Sequence, residues 1–101
     1  GVYAVLLSGP ELRPWPGVAN VGRRPTVRGT REQLEVHLLD YRGDLYGRHV
    51  KVDFLHYLRP EQRFESLDAL RRQIQQDEQA ARAYFSARGI IRSPSPSAMP
   101  T

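Results

Sequence analysis

A carboxylate and an imidazole lie two residues apart in the run Leu34-Glu-Val-His-Leu-Leu-Asp40, in which apolar and polar residues alternate. Successive side chains of a strand point to opposite faces, so Glu35 and His37 are expected to share one face, opposite the leucines and the valine. A carboxylate held on a rigid strand is a suitable general base, because it can accept the proton of a hydroxyl group within hydrogen-bond reach. From the pattern alone, the alternative stays open that both side chains form the solvent-facing side of an amphipathic strand.

The elements that must position this run are predicted to be strands, over residues 1–7, 16–21, 34–39 and 48–58. Residues 22–33, interrupted by Pro25 and Gly29, are predicted to be a polar loop. The run Arg42-Gly43-Asp44 predicts a turn, since glycine can adopt a positive φ. With the alternation that follows, this turn favours a hairpin between the third and fourth strands. We therefore expect a small antiparallel β domain.

A C-terminal helix is predicted to begin near Ser66, whose hydroxyl can cap free backbone amides, with Asp68 favourable in the first turn. Gly89 is placed to end it. The apolar residues at helical spacing are expected to pack against the sheet rather than bind a partner. They are Leu67, Leu70, Ile74, Ala81, Tyr84 and Phe85. Residues 91–101, rich in serine and proline, are expected to be a disordered tail, so that the domain spans residues 1–90.

Composition restricts the classes of protein. A chain of 101 residues forms at most one small domain. Without cysteine it has neither disulfides nor thiolate metal ligands, which fits a cytoplasmic protein. No apolar run is long enough to span a bilayer, so no membrane association is expected. The net charge of +4 and the arginines at positions 23, 24, 28 and 31 leave open a non-catalytic basic β-barrel that binds RNA or another polyanion. The acidic residues interspersed among the basic ones argue against nucleic acid as the partner.

Four motifs occur in a fixed order: Gly17-Val-Ala-Asn-Val-Gly-Arg-Arg-Pro-Thr26, the run that contains Glu35, Asp44-Leu-Tyr-Gly47, and Tyr57-Leu-Arg-Pro-Glu-Gln-Arg-Phe-Glu-Ser-Leu67. Together they closely resemble the riboflavin kinase module at the C-terminal end of bacterial bifunctional riboflavin kinase/FAD synthetases. The resemblance covers residues 1–88. It implies a Greek-key β-barrel of the riboflavin kinase type, incomplete at its N-terminus, with the helix packed outside.

The resemblance also implies an activity, the transfer of the γ-phosphoryl group of ATP, with Mg²⁺, to the 5′-hydroxyl of riboflavin to give FMN. An FMN adenylyltransferase domain is then expected on the N-terminal side of the same polypeptide. Glu35 falls at the position of the family's catalytic glutamate. Three residues fall where the family contacts the adenine nucleotide, namely Leu38, Asp40 and Tyr46. Three more fall where it contacts the flavin, namely Arg59, Gln62 and Phe64.

Structural roles for three of these residues stay open from the sequence alone. Tyr46 is also explained as an aromatic residue at the end of a hairpin. Phe64 suits a hydrophobic staple ahead of the helix cap. Arg59 could pair with Glu61 or Asp53.

The family's Pro-Thr-Ala-Asn motif, which helps to hold the phosphates and Mg²⁺, does not occur among the 101 residues. Asn20 is not equated with the asparagine of that motif. Thr26 follows a proline but lacks the Ala-Asn that should come next, so no metal ligand is assigned. We therefore expect a module that lacks its front end. Assayed alone, it should make FMN barely above background, because phosphoryl transfer depends on a positioned and neutralised phosphate.

Overall fold

The computed structural model of the chain describes residues 1–45 and 47–90. Within these ranges, four antiparallel strands form one sheet in the order β3-β2-β1-β4, and one helix follows them. The elements are β1 (Val2–Gly9), β2 (Leu12–Thr26), β3 (Gly29–Leu38), β4 (Lys51–Arg59) and α1 (Leu67–Ala87). The prediction of a mostly β, antiparallel domain with one C-terminal helix is confirmed. The described strands form an open sheet whose outer strands are β3 and β4.

The central strand is β1, which pairs with β2 on one side and with β4 on the other. Its side chains Val2, Ala4, Val5 and Leu7 are all buried. Apolar side chains on both faces are typical of a strand in the middle of a sheet rather than at its edge. The first strand of the chain therefore lies between β2 and β4 and pairs with both.

The predicted hairpin between the third and fourth strands is wrong. β3 pairs with β2, and the chain then crosses to the far side of β1 before β4 begins. Leu39, at the end of β3, is 2% exposed, and its carbonyl oxygen accepts a hydrogen bond of 2.6 Å from Trp15 Nε1. Burial of Leu39 and the positive φ of Asp40 (54°) turn the chain away from β3. The glycine turn that follows signals a local reversal but cannot specify which strand is paired next.

The predicted polar loop over residues 22–33 is also wrong, because β2 and β3 continue as a paired ribbon down to Thr26 and Gly29. Arg24 Nε donates to Gln33 Oε1 at 3.1 Å across this ribbon. A two-stranded ribbon exposed on both faces needs no apolar alternation, since long polar side chains can pair across it. Its composition therefore looks like that of a loop.

Helix α1 begins as predicted. Ser66 has extended dihedral angles, and its hydroxyl accepts a hydrogen bond from the backbone amide of Ala69 at 3.1 Å. Arg88 is the C-cap, and Gly89 follows with a φ of 71°, the left-handed conformation that ends many helices. Both predicted ends are therefore confirmed.

The predicted packing of the helix is confirmed only for its C-terminal half. Ala81 and Phe85 are fully buried in a cluster with Ala4 and Leu39. Leu67 and Ile74, in the N-terminal half, are instead 69% and 44% exposed. The helix thus contacts the sheet at one end and leaves a space beside it at the other. The helical periodicity predicted which face of the helix is apolar. It did not predict which part of that face contacts the sheet.

No helix among residues 1–45 and 47–90 is long and apolar enough to cross a membrane. The predicted disordered tail, residues 91–101, lies outside the described residues.

Candidate functional site

A groove of about 1160 Å³ occupies the space beside the N-terminal half of α1. The sheet forms its floor, the helix forms one wall, and the segment between β4 and α1 (residues 60–66) closes it. Four of the predicted site residues line this one groove, namely Glu35, Arg59, Gln62 and Phe64. The structure therefore brings the predicted catalytic residue and the three predicted flavin residues together, although they come from two separate parts of the sequence.

The floor of the groove contains a row of four side chains, one from each strand. Glu35 pairs with Asn20, Asn20 with Val2, and Val2 with Arg59. All four residues line the groove. Since neighbouring strands lie about 4.8 Å apart, Glu35 and Arg59 are separated by about 14 Å. The predicted base thus stands at one end of the row and the predicted flavin residue at the other.

Glu35 is accessible from the groove, with a side chain 55% exposed. Its Oε1 lies 3.4 Å from Nη2 of Arg24, which comes from the neighbouring strand β2. His37 shares the face of Glu35 as predicted, and its Nε2 lies 3.0 Å from Oε1 of Glu78 on the helix. Both side chains line the groove, where His37 is paired with α1 and Glu35 is paired with β2. On the opposite side of the strand, Leu34 is 47% exposed and does not reach a core.

Arg59 is held by a carboxylate that the sequence analysis did not identify. Its Nε and Nη2 donate to the two oxygens of Asp77 at 2.7 and 2.8 Å, and Gln73 Nε2 adds a bond of 3.0 Å to the same carboxylate. The hydrogen bonds that Arg59 donates to Asp77 raise the pKa of Arg59. Asp77, 7% exposed, replaces Glu61 and Asp53 as the partner of Arg59. The sequence contained a signal for this ion pair. Asp77 lies three residues after Ile74 and four before Ala81, which places a carboxylate on the apolar face of the helix.

The ion pair fixes Arg59 beside an aromatic ring. Its guanidinium carbon lies 5.8 Å from the centroid of Phe64, within the range of a cation–π contact. Leu67, Leu70 and Ile74 continue this side of the groove as an apolar wall. These three residues were expected to pack against the sheet, but Leu67 and Ile74 are exposed and Leu70 is half-buried, which makes this wall available to a flat, apolar ligand.

Two of the predicted nucleotide residues lie outside this groove. Leu38 and Asp40 are not among the residues that line the groove. Both oxygens of Asp40 accept hydrogen bonds from Arg82 at 2.8 and 3.0 Å, and these bonds lower the pKa of Asp40. Tyr46 lies outside the described residues. A second cavity of about 410 Å³ opens between the β1–β2 turn and the segment before β4, and Tyr41 and Asp44 are among its lining.

One polar atom in the groove is buried without a partner. The Oδ1 of Asn20, next to Glu35 in the row, has no hydrogen bond among the described residues. The same part of the chain contains no group of three or more His, Asp or Glu side chains arranged to hold a metal ion.

Comparison with known proteins identifies the same relationship as the motifs. Residues 1–85 match the family model described as "Flavokinase: Riboflavin kinase". The bifunctional riboflavin kinase/FMN adenylyltransferase of Escherichia coli (strain K12) is 59% identical over 85 residues, which are 84% of this chain and 27% of that protein. The protein of the same name from Pseudomonas fluorescens is 55% identical over 84 residues, 82% of this chain and 27% of that protein. The chain thus spans about a quarter of the length of these relatives.

A solved structure shares the fold. The crystal structure of a macrolide-efflux protein from Streptococcus pneumoniae superposes with a TM-score of 0.74 at 33% identity. The match covers 81% of this chain and 27% of that one.

Proposed function

The chain belongs to the riboflavin kinase family, and from this premise we propose that it binds riboflavin in the groove and serves its phosphorylation to FMN. The observation that carries the proposal is the lining of one groove by Glu35 and by the Arg59–Phe64 segment. A base and a flavin surface in the same groove are what the transfer of a phosphoryl group to a flavin alcohol requires.

The isoalloxazine ring is proposed to lie at the Arg59 end. Phe64 offers a face for stacking, and the groove wall formed by Leu67, Leu70 and Ile74 offers an apolar surface. Asp77 keeps the guanidinium of Arg59 in a fixed orientation, so that its remaining N–H groups can donate to ring carbonyls. Gln62 can add amide hydrogen bonds to the same polar edge of the ring.

Glu35 is proposed to act at the other end of the row. It accepts the proton of the riboflavin 5′-hydroxyl while that oxygen forms a bond to the γ-phosphorus of ATP and the bond between this phosphorus and the bridging β–γ oxygen breaks. ADP leaves with the electron pair of the broken bond, and FMN remains. Arg24, 3.4 Å from Glu35, brings a cation close to the point where phosphate charge must be accommodated.

ATP is proposed to arrive with Mg²⁺ bound to its phosphates. Leu38, Asp40 and Tyr46 remain the proposed contacts of the adenine nucleotide. An FMN adenylyltransferase domain in the same polypeptide is the proposed partner, since the relatives named above combine both activities in their names.

The proposal is tested by assaying a polypeptide in which residues 1–101 follow a segment with the family's Pro-Thr-Ala-Asn motif. With riboflavin, Mg²⁺ and ATP labelled in the γ-phosphate, label is expected in FMN, with ADP formed in equal amount. ATP labelled in the α-phosphate is the control and should transfer none. Failure to label FMN, with an intact fold, would reject the kinase function.

The alternative, binding of RNA or another polyanion, is separated by its dependence on salt. Binding through phosphate contacts weakens steeply as the salt concentration rises. Riboflavin binding, followed by quenching of flavin fluorescence, should change little with salt and should depend on Phe64. Two arginines of the β2–β3 ribbon are already paired with carboxylates, since Arg23 lies 3.8 Å from Glu32 and Arg24 lies 3.4 Å from Glu35. We therefore prefer the flavin.

A further inference from the structure

Asn20 lies between the two ends of the proposed riboflavin site. It pairs directly with Glu35 on β3, and on its other side the row continues through Val2 to Arg59. With strands about 4.8 Å apart, its Cα is about 5 Å from that of Glu35 and about 10 Å from that of Arg59. A riboflavin whose ring lies at Arg59 and whose 5′-hydroxyl reaches Glu35 must pass its ribityl chain over this position.

The amide oxygen of Asn20 lacks a hydrogen bond. Oδ1 is buried and has no partner among the described residues. An unpaired buried acceptor destabilises a protein, so most such atoms in native proteins are satisfied by the protein, by water or by a ligand. Its neighbour Val2, 2% exposed, is apolar and cannot supply a donor from its side chain. Because Asn20 lines the groove, a group that enters the groove is a candidate for the missing donor.

We propose that the amide oxygen of Asn20 accepts a hydrogen bond from a hydroxyl group of the ribityl chain and so aligns the 5′-hydroxyl with Glu35. This inference rests on the proposed function. A hydroxyl group fits the site because the oxygen needs a donor, and a phosphate group offers only acceptors at neutral pH. The ring does not fit this point of the row, since its stacking surface and its cation lie at the Arg59 end.

Two flavins distinguish the ribityl contact from a contact with the ring. Riboflavin carries the ribityl chain, whereas lumiflavin has a methyl group in its place. Asn20→Leu keeps the size of the side chain but removes the acceptor. We expect this variant to bind riboflavin about three- to tenfold more weakly, the loss of one hydrogen bond, and to bind lumiflavin as the wild type does. Both dissociation constants are measured from quenching of flavin fluorescence.

Two further readouts separate this role from a structural one. Asn20→Asp keeps an acceptor oxygen at the same place and should restore most of the riboflavin affinity. The unliganded Asn20→Leu protein should melt no lower than the wild type, because the substitution removes an unpaired buried oxygen. If Asn20→Leu does not fold, Asn20→Ala is measured with the same two flavins.

Several outcomes would overturn the inference. Equal weakening of riboflavin and lumiflavin would place the contact on the ring or assign Asn20 a structural role. Unchanged binding of both flavins would remove Asn20 from the site. Unchanged flavin binding with a raised Mg²⁺ requirement for FMN formation would make the amide oxygen a metal ligand. A wild-type chain that binds neither flavin would overturn the proposed function as well, whereas the other outcomes leave it standing.

Discussion

Glu35 and His37 have the same position in the strand pattern but different surroundings. His37 Nε2 lies 3.0 Å from Glu78 of the helix, whereas Glu35 has only the cation of Arg24 nearby and faces the groove. A base must reach the substrate before its pKa matters, and the exposure of Glu35 satisfies this condition. Both side chains line the groove, and we propose the carboxylate as the base because of its position in the family motif.

Replacing Glu35 with Gln should lower kcat while riboflavin still binds. The amide keeps the size and hydrogen bonding of the side chain but cannot accept the proton, and general-base catalysis contributes roughly 10²–10⁴-fold. The measurement is FMN formation by the polypeptide that carries the Pro-Thr-Ala-Asn segment, together with a riboflavin titration.

The matched control for this variant is Glu32→Gln. Glu32 lies on the same strand, is exposed and is not among the residues that line the groove, although its partner Arg23 is. It should leave both kcat and affinity unchanged. If Glu35→Gln turned over within a few-fold of the wild type, Glu35 would have no role as the base.

At the scale of elements, α1 is attached to the sheet by ion pairs in addition to its apolar end. The pair between Arg59 and Asp77 lies under the groove, with side chains only 18% and 9% exposed. The pair between Asp40 and Arg82 lies nearer the apolar cluster and is more exposed. The C-terminal half of the helix is packed on the sheet, and Asp77 at its middle is paired with Arg59, so that the N-terminal half stands beside the groove as a wall.

Replacing Asp77 with Asn should destabilise the fold and weaken flavin binding together. It leaves the charge of Arg59 buried without its counter-ion, and breaking such a pair costs about 3 kcal/mol or more. The free energy of unfolding is measured by denaturant titration. Lys51→Ala is the control, since its contact with Asp53 is exposed and such pairs contribute about 0–1 kcal/mol. Equal effects of the two variants would show that Asp77 does not hold the helix.

The pair between Asp40 and Arg82 should make stability depend on pH in acid. The hydrogen bonds from Arg82 hold the pKa of Asp40 below its ordinary value of 3.8. The pair therefore stabilises the fold above this pH, and the contribution is lost as the pH falls through the lowered pKa. Asp40→Asn should reduce the drop in Tm between neutral pH and acid below pH 3.8. An unchanged drop would show that the pair is not linked to folding.

Gly17 sets the distance between β2 and β3. A Cβ at this position would lie 2.8 Å from the backbone oxygen of His37, which cannot move without shifting β3. Gly17→Ala should therefore destabilise the protein by about 1–3 kcal/mol. Gly22→Ala, on the same strand, is the control, because its added Cβ meets only the movable end of Glu61. A Gly17 variant as stable as the control would mean that the strands separate at little cost.

At the scale of the whole molecule, the groove contains the proposed base and the proposed flavin-binding residues, whereas the family's Pro-Thr-Ala-Asn motif does not occur among the 101 residues. A base contributes little unless the γ-phosphate is held in line and its charge is neutralised. The polypeptide of residues 1–101 should therefore bind riboflavin yet make FMN barely above background. Adding the Pro-Thr-Ala-Asn segment should raise the rate by orders of magnitude. Comparable rates with and without this segment would show that the 101 residues supply their own phosphate contacts.

The sequence by itself determined what is local in this protein. Alternation predicted the strand that carries Glu35, and the hydroxyl of Ser66 and Gly89 predicted both ends of the helix. The order of its motifs indicated the family. Each of these signals lies within a few residues of the element that it specifies, since strand alternation and helix capping depend on the neighbours in the chain.

Only the tertiary structure decided how these elements meet. β4 pairs with β1 rather than with β3. The turn at residues 42–44 does not specify this pairing. The partner of Arg59 turned out to be Asp77, 18 residues away. The unpaired oxygen of Asn20 becomes apparent only once β2 is paired with its neighbouring strands and the burial of this atom is known. Hydrogen bonds between strands and burial of polar atoms depend on residues that are distant in the sequence. The local sequence pattern therefore does not predict the groove.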